Sequence, residues 1–190
     1  AKRCLDCPNP TCMTGCPVNI NIPGFVKNIE RGEILEAAKV LKETSALPAV
    51  CGRVCPQEKQ CESQCFYKLK LKKDAVAIGY LERFAADYER ESGMISVPEI
   101  KEKNGKKIAV VGSGPAGLSF AGDMAKMGYS VTVFEALHEI GGVLKYGIPE
   151  FRLPNKVVDV EIENLRKMGV TFIKDCIVGK TISIKDLEED

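Results

Sequence analysis

The sequence predicts an all-helical, cysteine-rich domain over residues 1–103, followed by the first part of a parallel α/β domain over 104–190. Three observations predict it. Eight of the nine cysteines lie before residue 66, in two short runs. Apolar residues recur at helical spacing through the same region, and no alternating strand pattern appears before Lys106. Beyond it, a strand, a glycine-rich turn and a helix follow one another in the order that builds a parallel sheet.

Composition narrows the function classes. The 190 residues are 45% hydrophobic and 28% charged, which is globular rather than disordered. Lysine and arginine total 27 against 26 acids, so no basic excess invites nucleic acid or an anionic membrane. No run of about 18 or more apolar residues and no basic-then-apolar leader stands in these residues, so a cytoplasmic setting is expected.

The cysteines carry the first chemistry. The first run reads C-x2-C-x4-C-x3-C-P from Cys4 to Pro17, and the second reads C-x3-C-P-x4-C-x3-C from Cys51 to Cys65. Disulfides would need an oxidising compartment and usually a small secreted scaffold, which the rest of the chain does not resemble. Zinc sites usually join two separated short-spaced pairs, whereas the first run crowds its four cysteines together. That crowding suits iron and sulfide. In related runs three cysteines wrap one 4Fe-4S cluster and the fourth ligates another. By that logic Cys4, Cys7 and Cys12 share one cluster and Cys16 serves a second. A zinc-stabilised interaction module with no redox role is the alternative from another class.

Within this domain, Phe25, Val26, Ile29, Ile34, Leu35, Ala38 and Leu41 fall at helical spacing, interrupted at Gly32 and ended by Leu47-Pro48, which predicts two short helices. A third helix is predicted over Ala75–Glu91, capped by Asp74, with Ile78, Leu81, Ala85 and Tyr88 on one stripe. Residues 92–106 lack periodicity and read as a linker.

The second domain opens on the strand Lys107–Val111, the turn Gly112-Ser113-Gly114-Pro115-Ala116-Gly117 and a helix over Leu118–Met127. A second strand, Ser130–Glu135, follows. A GxGxxG pattern that follows a strand, opens a helix and has an acid downstream marks a Rossmann-like dinucleotide site. The chemistry needs glycine where backbone approaches a pyrophosphate, a helix N-terminus to meet its charge, and a carboxylate, here Glu135, for ribose hydroxyls. Residues 141–154 have no regular period and read as a loop crossing a cofactor. A helix over Asn155–Met168 and a strand over Val170–Lys174 complete the prediction. Two or three strands do not fill a doubly wound domain of about six, so the chain is expected to be a piece of a longer protein.

Together, Cys4-Leu-Asp-Cys7, Cys12 to Pro17, Cys51-Gly-Arg-Val-Cys55-Pro56, GSGPAG from Gly112 and Gly147-Ile-Pro-Glu-Phe-Arg-Leu-Pro154 resemble the family of the small (beta) subunit of NADPH-dependent glutamate synthase. The same module occurs in dihydropyrimidine dehydrogenase and in the electron-bifurcating NADH-dependent ferredoxin:NADP oxidoreductase. The resemblance implies a ferredoxin-like, all-α domain with two 4Fe-4S clusters, then an FAD domain whose NADPH site lies in a missing C-terminal part. It assigns Cys4, Cys7, Cys12 and Cys65 to one cluster, and Cys16, Cys55, Cys61 and Glu82 to the other. Counting cysteines alone would choose Cys51 over Glu82. For FAD it implies Gly112, Ser113, Gly114, Pro115, Ala116 and Gly117, with Glu135 on the ribose and Gly142, Val143, Arg152 and Val54 as further contacts.

The activity implied is NADPH oxidation through FAD and the clusters to a large (alpha) subunit that makes glutamate from glutamine and 2-oxoglutarate. A bifurcating ferredoxin:NADP oxidoreductase or a sulfide dehydrogenase subunit is the alternative. No catalytic residue is expected in this chain, which alone is expected to be inactive. Cys176 is expected to be a core thiol and His138 a solvated residue. The run Lys68, Lys70, Lys72 and Lys73 reads as a solvated face or a docking face.

Overall fold

The computed structural model describes residues 1–189, and these form two compact units, one over Ala1–Ser96 and one that begins at Val97. The expected division lay after residue 103. Residues 97–104 join the second unit because Lys101 N donates to Lys126 O (3.0 Å) and Asn104 N to Gly128 O (3.1 Å). Among the described residues no helix is long and apolar enough to cross a membrane.

The first unit is helical. Helices α1 (Thr11–Thr14), α2 (Ile22–Arg31), α3 (Ile34–Thr44), α4 (Pro48–Val54), α5 (Phe66–Leu69) and α6 (Ile78–Ser92) are joined by loops and one 3-10 turn. Asn21 caps α2 by accepting a bond from Gly24 N (3.1 Å), and Gly32 ends it in the left-handed region at φ 83°. Pro48, expected as a break, also starts a helix, because proline at the first helical position forfeits no intrahelical bond. Helix α6 begins three residues later than expected and Asp74 does not cap it. Arg3 instead draws the carbonyls of Asp74 and Ala75 outward, and Ile78 N closes a tight turn onto Val76 O.

Phe25, Val26, Leu41, Ile78 and Ala85 form the centre of the core, and Cys61 and Cys65 belong to the same cluster. Helix α6 turns Ile78 and Ala85 inward and packs Leu81 against the core, as expected, but it also buries Glu82 and Glu89 and leaves Tyr88, the last residue of the expected stripe, exposed. Two ion pairs set that rotation. Lys42 on α3 meets Glu89 at 2.6 Å with both side chains buried, and Arg53 on α4 grips both oxygens of Asp87 (2.7 and 2.8 Å). Gly52 lets α4 and α6 close together, since a Cβ there would lie 2.7 Å from the Arg83 backbone.

The second unit carries a parallel sheet of β1 (Lys107–Val111), β2 (Ser130–Phe134) and β3 (Thr171–Ile173), in that order. Lys107 stands opposite Ser130, and Thr132 opposite Thr171. Helices α7 (Pro115–Lys126) and α9 (Asn155–Lys167) bury Leu118, Ala121, Val157, Val158 and Leu165, while α8 (Val143–Tyr146) and α10 (Ile184–Glu189) are short. Glu150 supports the start of α9, accepting from Asn155 N at 3.0 Å.

Candidate metal and nucleotide sites

The first unit gathers sulfur in two places. Cys4, Cys7, Cys12 and Cys65 line one pocket, with Ile22, Val26, Val76 and Ile78 among its other walls. Leu5 and Phe66 also line it and are exposed, so they stand at its mouth. Burial, then the neighbouring Cys65 and Cys4, pushes the Cys12 thiol up to about 11, and burial raises Cys4 as well.

The second group is Cys16, Cys55, Cys61 and Glu82. Burial, then Glu82 and Cys16, pushes Cys55 up to about 11. Burial, then Cys16, Glu62 and Glu82, pushes Cys61 up to about 12. Glu82 itself is 4% exposed. The Cys55 thiol donates to Gln60 Oε1 at 3.0 Å. Cys51 lies one turn before Cys55 on α4, and its carbonyl accepts from Cys55 N (3.0 Å) and Gln57 Nε2 (2.9 Å).

Such buried thiols cannot all ionise side by side without a cation to offset their charge, so metal binding here must displace protons. Among the described residues no three of these side chains converge on a point where they could hold a single ion. A tetrahedral zinc would want its sulfurs about 2.3 Å from one centre. A four-iron cluster takes one donor at each iron, and sulfurs standing around a pocket fit that demand. Cys4, Cys7, Cys12 and Cys65 around their pocket therefore suit the group that the cysteine spacing implies.

The second unit forms its loop largely from backbone. Gly112 turns at φ 94°, and Gly114 precedes Pro115 at the start of α7, so the N–H groups of Ala116 and Gly117 belong to the first turn, which has no intrahelical acceptor for them. A Cβ on Gly117 would meet Gly112 O at 2.1 Å, so only glycine lets helix and strand approach this closely. A Cβ on Gly114 would meet nothing within 4 Å, which leaves open space where a phosphate would approach. Gly142, at φ 52°, packs on Gly114, where a Cβ would stand 2.9 Å from Gly114 Cα.

Glu135 follows β2 and is 6% exposed. Its Oε2 accepts from Ser113 N (2.8 Å) and the Ser113 hydroxyl, and Oε1 from Leu137 N (2.9 Å). Burial acts to raise its pKa, but the Ser113 hydroxyl and the surrounding N–H groups outweigh it and hold the carboxylate below its ordinary value. The same hydroxyl accepts from Gly141 N (3.0 Å), so Ser113 ties the acid to the crossing loop. Val143 and Arg152 are exposed, on α8 and on the turn after it, and Val54 is half-buried at the end of α4. Cys176 is buried and His138 exposed.

Sequence reasoning missed Gln57 and Gln60, and it placed Ser113 in the nucleotide site without foreseeing its bonds to Glu135 and Gly141. Only Ser113 had a signal, its place inside the glycine-rich turn.

Comparison with known proteins bears on both units. The family model described as dihydropyrimidine dehydrogenase domain II, 4Fe-4S cluster, matches residues 1–94, and that of a NAD(P)-binding Rossmann-like domain matches 110–170. The chain is 40% identical over its whole length to the glutamate synthase [NADPH] small chain of Escherichia coli K12, of which it covers 40%. It is 39% identical, again over its whole length, to the NAD-dependent dihydropyrimidine dehydrogenase subunit PreT of the same strain, of which it covers 45%. A putative oxidoreductase of that strain, UacF, is also 39% identical and covered over 30%. The chain is thus similar over its whole length to oxidoreductase subunits that include the glutamate synthase small chain and PreT. Its first unit matches a 4Fe-4S domain and its second a NAD(P)-binding Rossmann-like domain. It spans less than half the length of these relatives.

Proposed function

We propose that this chain is the iron–sulfur part and the first dinucleotide-binding part of a cytoplasmic NADPH-dependent reductase that delivers electrons to a partner subunit. When bound, FAD would convert a two-electron hydride into single electrons, and 4Fe-4S clusters would carry them one at a time. The observation that carries the reading is the sorting of the eight expected donors into two groups of four. Each group draws on both cysteine runs, and the second includes the buried carboxylate of Glu82.

Cys4, Cys7, Cys12 and Cys65 would hold one cluster, and Cys16, Cys55, Cys61 and Glu82 the other. Gly112 to Gly117 would cradle a pyrophosphate. Gly142, Val143 and Arg152 would add contacts from the crossing loop, and Val54 would carry a flavin contact beside Cys55. Glu135 spends three acceptor positions on its own chain, so it would orient the loop through Ser113 and offer ribose hydroxyls only what capacity remains. The partner we favour is the large subunit of a glutamate synthase. The similarity to PreT favours a dihydropyrimidine dehydrogenase partner as the second reading.

Iron, acid-labile sulfide and zinc measured per chain after anaerobic purification test the proposal. About eight iron and eight sulfide are expected for two clusters. Zinc without sulfide, persisting after anaerobic reconstitution with iron and sulfide, would overturn it. Flavin is tested separately, by titrating FAD and NADPH into the protein and following fluorescence.

A further inference from the structure

The pocket lined by Cys4, Cys7, Cys12 and Cys65 opens beneath an exposed apolar lip of Leu5 and Phe66. The chain leaving that lip is strongly basic. Helix α5 begins at Phe66, and the following turn folds back so that Lys73 N donates to Tyr67 O at 3.0 Å. Lys68, Lys70, Lys72 and Lys73 are thereby kept close to the pocket wall, and all four are exposed. Arg3 joins them, its guanidinium 5.5 Å from the centre of the Tyr67 ring and bonded to the carbonyls of Asp74 and Ala75. Lys2 is exposed beside it. Only Asp6 and Asp74 oppose these six cations within the two segments 1–7 and 66–74.

This concentration is local, since the whole chain carries a formal charge of only +1. None of the four lysines forms an ion pair among the described residues, whereas Lys27, also near Cys4, is neutralised by Glu30 at 2.7 Å. Leu69 and Leu71 alternate with the lysines and are 38% and 44% exposed. An apolar centre inside a charged rim is how protein interfaces are built.

We infer that this basic collar is the docking surface for a protein partner that carries an acidic patch around its own one-electron centre. The inference rests on the proposed reading that the pocket holds a cluster. Electron transfer slows steeply with distance, so a partner must approach a cluster where its pocket reaches the surface. The cations would steer such a partner by field, and the apolar lip would give the encounter its contact area. A nucleic acid is the competing use of lysines. The apolar lip, the interleaved leucines and the near-zero net charge favour protein.

The test uses the iron-loaded protein, reduced with dithionite and mixed with oxidised haem proteins of opposite charge, the acidic cytochrome b5 and the basic cytochrome c. The rate with cytochrome b5 is expected to fall steeply as salt is added. In the variant Lys68→Glu, Lys70→Glu, Lys72→Glu, Lys73→Glu that rate should drop roughly tenfold or more at low ionic strength. The rate with cytochrome c should rise, and oxidation by an uncharged benzoquinone should not change. A second variant with the same lysines changed to Ser should lose less, which separates charge from misfolding.

An unchanged cytochrome b5 rate in both variants would overturn the inference. So would binding of a duplex DNA oligonucleotide at physiological salt that both variants abolish. The iron content of each sample is read first. Its absence in the unaltered protein would sink the cluster reading, and this inference with it, whereas full iron with unaltered kinetics would sink the docking surface alone.

Discussion

The two units solve the problem of making a site in opposite ways. In the second, the groups that would meet a pyrophosphate lie within six consecutive residues, Gly112 to Gly117, and backbone geometry largely shapes them. In the first, each group of donors joins both cysteine runs, and the second reaches on to Glu82 in α6. No local rule brings these residues together. Tertiary packing does so, and it pushes the half-buried Cys12 thiol up to about 11 and the buried Cys61 thiol up to about 12, so both stay protonated near neutral pH until a metal displaces their protons. A local backbone site can therefore be formed before its ligand arrives, whereas a site of thiol donors must give up protons as its ligand binds.

Single substitutions should break the two sites independently. The largest effect is expected from Cys12→Ser, which should remove one cluster and about half of the iron while leaving amide protection in β1 and β2 unchanged. Cys51→Ser should cost no iron. If it costs about half, Cys51 rather than Glu82 completes the second group. The mirror experiment is Gly117→Ala. Its methyl group must displace Gly112 O, and overpacking of this kind costs about 1–3 kcal/mol. The melting transition of β1 and β2 should fall and FAD affinity with it, with iron content constant. Loss of iron in Gly117→Ala would show the units to be coupled rather than separate.

A subtler change sharpens the comparison within the first unit. Glu82→Cys should keep its iron but alter the reduction potential of one cluster, because donor identity and burial set that potential. Glu82→Ala should lose that cluster's iron. A redox titration followed by electron paramagnetic resonance separates the two outcomes. An unchanged potential in Glu82→Cys would mean that this position does not contact iron.

How much was legible follows the same divide. The glycine turn, its strand and its helix could be read residue by residue, since each glycine answers a local demand. The cysteine spacing pointed to metal, yet the membership of the second group could not be read from spacing. Resemblance to a family was needed to include Glu82. Helical periodicity chose Ile78, Leu81 and Ala85 correctly for the core side but also chose the exposed Tyr88 and left out Glu82 and Glu89, because a pattern built on hydrophobicity cannot place an acid inside. What turns Glu82 inward is held from outside its own helix, by Lys42 on Glu89 and Arg53 on Asp87. Partners so distant in sequence leave no mark on a window of fifteen residues. Asp74 failed as a cap for a similar reason, since Arg3 claims the backbone beside it.

Glu135 gives the smallest and most specific test. Its carboxylate is held below its ordinary value by the Ser113 hydroxyl and neighbouring N–H groups, in spite of burial. A carboxylate with a depressed folded pKa contributes stability above its unfolded value of about 4.3, and that contribution disappears as pH falls through the folded pKa. The second unit should therefore lose stability progressively below about pH 4, and Glu135→Gln should flatten that dependence. The measurement must follow amides of β1 and β2, because acid also attacks iron–sulfur clusters and would confuse any signal from the first unit. The Gln variant keeps one carbonyl acceptor and loses the charge, so the Ser113 hydroxyl should hold Gly141 less firmly. A pH profile identical in both proteins would mean that the charge on Glu135 contributes nothing to folding. Its burial would then have to be explained by what it offers a ligand.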